Sequence, residues 1–120
     1  MPNIHVVFPV SGTPILLNGA EICARGEVIT WCFHSDNTAI KSVEVVFADP
    51  GSSFFGNTPT PLSRRVPLVH GQADFYGHVP DYTVPLPLPK IAKYTVRGYD
   101  APTGGNVVAE VDPIILTPQP

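Results

Sequence analysis

A chain of 120 residues, 43% hydrophobic and 14% charged, is long enough to bury a core of its own and has too few charges for a disordered polyelectrolyte. Its net charge is −3, and Arg64-Arg65 is the only adjacent basic pair, which argues against binding to nucleic acid or to an anionic membrane. We therefore expect a single domain over residues 1–120, with neither of these as a partner. The N-terminus has no basic stretch followed by an apolar one, so no signal peptide is predicted and the expected location is cytoplasmic.

The first half of the chain consists of short segments, because the 15 prolines and 10 glycines of the sequence leave little room for helices. Residues 40–48 show the clearest strand pattern, in which Val43, Val45 and Phe47 alternate with Ser42 and Glu44. Residues 27–34 are largely apolar on both faces, which is typical of a central strand. The sequence predicts strands over residues 4–8, 15–17, 21–24, 27–34 and 40–48, with a turn at Asn18-Gly19.

The second half continues in the same way. Residues 64–69 and 73–79 are predicted to pair as strands through a turn at His70-Gly71. A proline-rich run over residues 80–90 is expected to be extended and stiff, and to cap a sheet edge or act as a docking ledge. Further strands are predicted over residues 93–99, 107–111 and 114–117. Short strands at this spacing, without helical periodicity, predict an all-β fold, a two-sheet Greek-key β-sandwich.

Two stretches of the sequence resemble cupredoxin-like domains. Residues 26–31, Gly-Glu-Val-Ile-Thr-Trp, are similar to the Gly-Asp-x-Val-x-Trp strand near the start of such domains. Residues 93–99, followed by residues 112–116, resemble their late strands, where a Tyr-x-Val strand precedes the C-terminal one. The resemblance implies a cupredoxin-like topology, and an immunoglobulin-like sandwich is the alternative because it also has a core tryptophan and a late tyrosine.

The copper site of that family does not carry over to this chain. A type 1 copper site needs two histidines and a cysteine, usually with an axial methionine. In the family, the cysteine, the second histidine and the methionine lie in the loop before the last strand. After His78 this chain has no histidine, cysteine or methionine, and its only methionine is Met1. The resemblance therefore implies a cupredoxin-like domain without type 1 copper, and no cofactor is expected.

Four side chains are candidates for a different metal site: Cys32, His34, His70 and His78. Cys32 and His34 lie two residues apart on one predicted strand and therefore point to the same face. A metal site needs three or four converging ligands, and the sequence does not show that others approach. A metal-binding or electron-transfer protein is the first alternative function. A disulfide between Cys23 and Cys32 stays open, although a reducing compartment favours two small buried thiols.

Motifs for catalysis are absent from the sequence, which has no Gly-x-Ser-x-Gly, no phosphate-binding loop and no dinucleotide-binding glycine pattern. The acidic residues are scattered. Glu44 with Asp49, or Asp74 with Asp81, would act in glycoside hydrolysis only if the fold brought them together. We predict no catalytic residue and no enzyme activity, and a small hydrolase or carbohydrate-active protein is the second alternative.

Aromatic residues in the loops indicate an interaction function. Phe54-Phe55 lies among small turn residues, where one ring is expected to plug the end of the sandwich and the other to be exposed. Exposed aromatic rings anchor protein interfaces. The sequence therefore predicts a non-enzymatic binding or assembly module that acts through a protein partner or through self-association. Its predicted interaction residues are Phe54, Phe55, Tyr76 and Tyr82.

Overall fold

Short β-strands make up the regular structure of this protein. The computed structural model describes residues 3–17, 21–22, 26–47, 55, 63–79 and 90–117. Within these ranges there is no helix, which confirms the all-β prediction. Every predicted strand is present to within about three residues. The strands are β1 (Asn3–Phe8), β2 (Ile15–Leu16), β3 (Glu21–Ile22), β4 (Val28–Ser35), β5 (Ser42–Phe47), β6 (Ser63–Pro67), β7 (Gln72–His78), β8 (Lys90–Tyr99), β9 (Val107–Val111) and β10 (Ile114–Thr117).

The strands form two sheets, which confirms the predicted two-sheet sandwich. The four-stranded sheet has the order β2-β1-β4-β7, and the six-stranded sheet has the order β3-β10-β8-β5-β6, with β9 also paired to β8. The pairs β1–β4 and β3–β10 are parallel, and the other pairs are antiparallel. As predicted, residues 27–34 contribute a central strand, because β4 lies between β1 and β7.

The core between the sheets is built around Trp31. Its side chain is fully buried, and its ring contacts Phe75 from the same sheet and Phe47 and Tyr94 from the other sheet, at centroid distances of 5.8, 6.2 and 5.8 Å. The indole N–H donates a 3.4 Å hydrogen bond to the Tyr94 hydroxyl, so its polar atom is satisfied inside the core. Val43, Val45 and Phe47 are buried as the period-two pattern predicts. Lys41, which has the same parity two residues before Val43, is exposed.

The turn at His70-Gly71 forms, but the pairing predicted between its flanking strands is wrong. Both residues have positive φ, 54° and 73°, as a two-residue hairpin turn of type I′ requires, and Val69 and Gln72 exchange two backbone hydrogen bonds. Beyond that bridge β6 pairs with β5, and β7 pairs with β4 in the opposite sheet. The turn is a local signal, whereas the partner of each strand is set by the sheet against which its apolar side chains pack.

A similar change of sheet occurs earlier in the chain. β2 pairs with β1, whereas β3 pairs with β10 in the six-stranded sheet. The predicted turn at Asn18-Gly19, between these strands, lies outside the described residues. Within the described residues, nothing helical is long and apolar enough to cross a bilayer.

Candidate interaction face

One side of the four-stranded sheet packs on the core, and the other side, here called the outer face, points away from it. Strand alternation sends Ile29, Trp31 and Phe33 of β4 inward and the intervening side chains outward. β1 and β7 alternate in the same way, because Ile4, Val6 and Phe8 of β1 and Phe75 of β7 are buried. The outer face consists of Asn3, His5 and Val7 of β1; Ile15 of β2 and the adjoining Leu17; Val28, Thr30, Cys32 and His34 of β4; and Gln72, Asp74, Tyr76 and His78 of β7.

The outer face carries very little charge. Asp74 is the only one of its residues with a formal charge at pH 7 when histidine is neutral. The exposed side of the six-stranded sheet differs, because the strand register there aligns Arg65, Glu44, Arg97 and Glu110 in one row of alternating sign. In that row the Arg97 Nε lies 3.1 Å from Glu110 Oε2, and its Nη1 lies 3.8 Å from Glu44 Oε1. The two sides of the sandwich therefore present different surfaces to solvent.

Large apolar and aromatic side chains remain exposed on the outer face. Ile15, Leu17 and Tyr76 are 51%, 63% and 55% exposed. The Tyr76 ring meets the His78 ring edge-on at a centroid distance of 5.9 Å. Interface centres are depleted of charge and rich in aromatic side chains, and contiguous exposed apolar patches mark interaction sites. The outer face has the low charge of an interface centre, and its exposed apolar side chains lie along its two edges, Ile15 and Leu17 beside β1 and Tyr76 on β7.

Cys32 lies near the centre of the outer face. The register places it directly between His5 of β1 and Asp74 of β7, so these three side chains form one row. Cys32 is half-buried and is a free cysteine. Burial raises the pKa of its thiol, and the negative charge of Asp74 raises that pKa further. This thiol therefore lacks the electropositive surroundings that activate a cysteine nucleophile. The possible partner Cys23 lies outside the described residues.

The four predicted metal-ligating residues do not come together as one site. Cys32, His34 and His78 share the outer face, but His78 pairs with Val28, roughly 13 Å along the sheet from Cys32. His70 lies in the turn between β6 and β7, outside that face. His34 Nε2 is 3.0 Å from Asp36 Oδ1. Among the described residues, no group of three or more histidines, cysteines and acids is placed to hold a metal ion.

The predicted interaction residues have different positions. Tyr76 lies on the outer face, as described. The Phe55 ring packs into the core, with centroids 5.7 Å from Trp31 and 5.5 Å from Phe47, which is the plugging role expected for one of the two adjacent phenylalanines. Phe54 and Tyr82 lie outside the described residues, as do residues 80–89 of the proline-rich run and the acids Asp49 and Asp81.

Sequence reasoning did not place His5 and Asp74 beside Cys32, and it considered Asp74 only as a possible partner of Asp81. His5 precedes Cys32 by 27 residues and Asp74 follows it by 42 residues. Only the strand register shows that the three side chains form one row. Comparison with known proteins adds no further indication, because no family model and no curated protein matches the sequence.

Proposed function

We propose that this protein is a non-enzymatic β-sandwich module that self-associates through the outer face of its four-stranded sheet. The observation that carries this proposal is the combination, on that face, of exposed Ile15, Leu17 and Tyr76 with a single formal charge. In a two-fold symmetric contact the same patch faces itself, so a charged patch would repel its copy. A nearly neutral apolar face avoids that repulsion, which favours a second copy of this chain as the occupant.

The size of the face sets the expected strength of association. Strands β1, β4 and β7 are six to eight residues long and, with the two-residue β2 at one edge, lie about 4.8 Å apart, so the sheet covers roughly 15 by 20 Å. This flat area of roughly 300 Å² is smaller than the ~800 Å² per partner that stable complexes bury. We therefore expect a weak dimer, with a dissociation constant on the order of 100 µM.

A copper-free cupredoxin-like topology and a cytoplasmic location belong to the same proposal. The topology is supported by Trp31 and Tyr94, one from each of the two resembling stretches, which pack against each other in the core at 5.8 Å. The location is supported by the free Cys32 thiol, which suits a reducing compartment. Quantifying protein thiols in rapidly acid-quenched cells checks the location, because an oxidised Cys32 in those cells would contradict it.

Sedimentation analysis over a range of concentrations tests self-association. The wild-type chain should pass from monomer to dimer, and Tyr76→Glu should remain monomeric because it places a second negative charge on the contact, on the same strand as Asp74. The matched control is Val108→Glu, which adds the same charge at a 40%-exposed apolar residue of β9 in the other sheet, and it should dimerise like the wild type.

Two outcomes of that experiment would oppose the proposal. A wild-type chain that stays monomeric at millimolar concentration has no such contact. A dimer that Val108→Glu disrupts and Tyr76→Glu does not uses the other sheet. The series is repeated with a metal chelator. An unchanged dimer there shows that association does not depend on a bound metal and so does not arise from the first alternative, a metal-binding or electron-transfer protein.

A further inference from the structure

A pocket lies at one end of the sandwich and shares no residue with the outer face, although Ser35 and Gly71 of its lining adjoin His34 and Gln72 of that face. It is formed where the loop between β4 and β5 meets the turn between β6 and β7, and it has a volume of about 400 Å³. This volume is within the range of small-molecule sites. Its lining includes the polar residues Ser35, Asn37, Lys41 and His70, and the apolar Ile40 and Leu68.

The lining of this pocket contains basic and neutral side chains and no carboxylate. Lys41 is exposed, and within the described part of the chain it takes part in no ion pair. The acids around Lys41 are engaged elsewhere. Glu44 accepts a hydrogen bond from the Tyr99 hydroxyl, Asp36 contacts His34, and the Asp100 carboxylate accepts a hydrogen bond from the Asn106 amide. Lys41 is therefore the one group in the lining with a formal charge when histidine is neutral.

The backbone around the pocket is held in place by hydrogen bonds. The Lys41 amide donates to the Tyr99 carbonyl at 2.7 Å, and the Lys41 carbonyl accepts from the Leu68 amide at 2.9 Å. The Ser35 amide donates to the Gly71 carbonyl at 2.8 Å, which ties the end of β4 to the turn that carries His70. The bases of the Lys41 and His70 side chains are thus fixed before any ligand arrives, which lowers the entropic cost of binding.

His70 adopts a backbone conformation that is uncommon for its residue type. Its φ is 54°, where only a few per cent of non-glycine residues lie, although histidine is among the residues enriched there. Asparagine is the more usual choice at that position of a type I′ turn. The turn itself therefore does not require the imidazole, which supplies an N–H donor to the pocket in either of its protonation states.

We propose that this pocket binds a small organic anion, whose carboxylate or phosphate oxygens contact Lys41 and His70 and whose apolar part lies against the half-buried Leu68. Carboxylates and phosphates share the oxyanion chemistry that a lysine and an imidazole N–H recognise. The site is independent of the outer face, so binding and self-association can succeed or fail separately.

NMR titration of the ¹⁵N-labelled protein tests the site with three probes: hexanoate, inorganic phosphate and hexylamine. Hexanoate should give saturable shifts of the amides of residues 35–41 and 68–71. Phosphate should shift the same amides with weaker affinity, because it lacks the apolar part, and hexylamine should leave them unchanged. Tighter binding of phosphate than of hexanoate would overturn the apolar half of the proposal.

Lys41→Met keeps the length of the side chain and removes its charge, so it should weaken hexanoate binding by about five-fold, the size of an exposed charge pair. His70→Asn tolerates the positive φ and should weaken binding while the rest of the spectrum is retained. The matched control is Lys93→Met, because Lys93 is an exposed lysine of β8 that does not line the pocket. This variant should bind hexanoate as the wild type does. Equal affinity in the wild type and Lys41→Met, or equal shifts with hexylamine, would overturn the proposal.

Discussion

The Tyr99 hydroxyl donates a short hydrogen bond to the Glu44 carboxylate, and the Arg65 guanidinium lies 3.6 Å from the centroid of its ring. Burial raises the pKa of Tyr99 above its ordinary value of 10.0, and the hydrogen bond to Glu44 raises it further. Below about pH 10 the phenol is protonated in both the folded and the unfolded chain. Above that pH the unfolded chain releases its proton first, so the free energy of unfolding falls as the pH rises.

Replacing Tyr99 with phenylalanine should therefore change how stability depends on pH. The variant keeps the ring under Arg65 and loses the hydroxyl, which should cost about 1 kcal/mol at neutral pH. That cost should shrink as the pH rises past about 10, because the wild type then loses the contribution that the variant never had. Urea unfolding of both proteins at about pH 7, 9 and 10.5 measures it, and a difference that stays constant over that range would contradict the assigned pKa direction.

At the scale of elements, Arg65 connects β6 to the loop between β8 and β9. Its Nε donates to the Ser42 hydroxyl at 3.0 Å, and its Nη2 donates to the carbonyls of Ala101 and Gly104. The fully buried Ser42 hydroxyl donates to the same Ala101 carbonyl at 2.7 Å. One guanidinium therefore donates to two backbone carbonyls and one hydroxyl at once, a task for which the single ammonium of a lysine has the wrong shape.

Arg65→Lys should destabilise the protein by about 1–2 kcal/mol and free this loop. The amides of Asp100 and Asn106, which are hydrogen-bonded within the loop, should exchange with deuterium faster than in the wild type. Arg64→Lys is the matched control, because Arg64 is exposed and its guanidinium contacts only the Phe75 ring, at 5.6 Å, among the contacts described. Similar effects of the two variants would show that the specific Arg65 hydrogen bonds do not hold the loop.

The positions of the strands could be predicted from the sequence, because alternation and proline-glycine breaks are local properties. The partners of the strands could not. The His70-Gly71 turn predicts a hairpin, yet β6 and β7 separate into different sheets after one bridge. Partner choice depends on which apolar face each strand adds to the core, and that is settled only when the whole chain packs.

The outer face could be predicted only in part, because local alternation is visible in the sequence and strand pairing is not. Cys32 and His34 are two residues apart on β4, and Tyr76 and His78 are two apart on β7, so each pair shares a face by parity alone. Whether the two pairs share one face, and what lies between them, depends on the register of β4 against β7. For Phe55, the sequence predicts that one ring of the Phe54-Phe55 pair plugs the end of the sandwich. It does not reveal that this ring reaches Trp31.

Across the whole molecule, the charged side chains of the described residues are distributed unequally over the two sheets. The six-stranded sheet exposes a row of alternating ion pairs, whereas the outer face of the other sheet exposes apolar side chains, histidines and one acid. Charges that are already paired with one another within the row gain little from being covered by a second copy. We therefore expect association to be confined to the outer face, with Cys32 near its centre.

The rate of alkylation of Cys32 tests that claim most directly. In a Cys23→Ser background Cys32 is the only thiol, and its reaction with iodoacetamide is followed by mass spectrometry at about 10 µM and about 1 mM protein, on either side of the expected dissociation constant. Reaction should slow severalfold at the higher concentration, and adding Tyr76→Glu should abolish the slowing. If sedimentation shows a dimer while Cys32 reacts equally fast at both concentrations, the copies meet elsewhere and the outer face is not the interface.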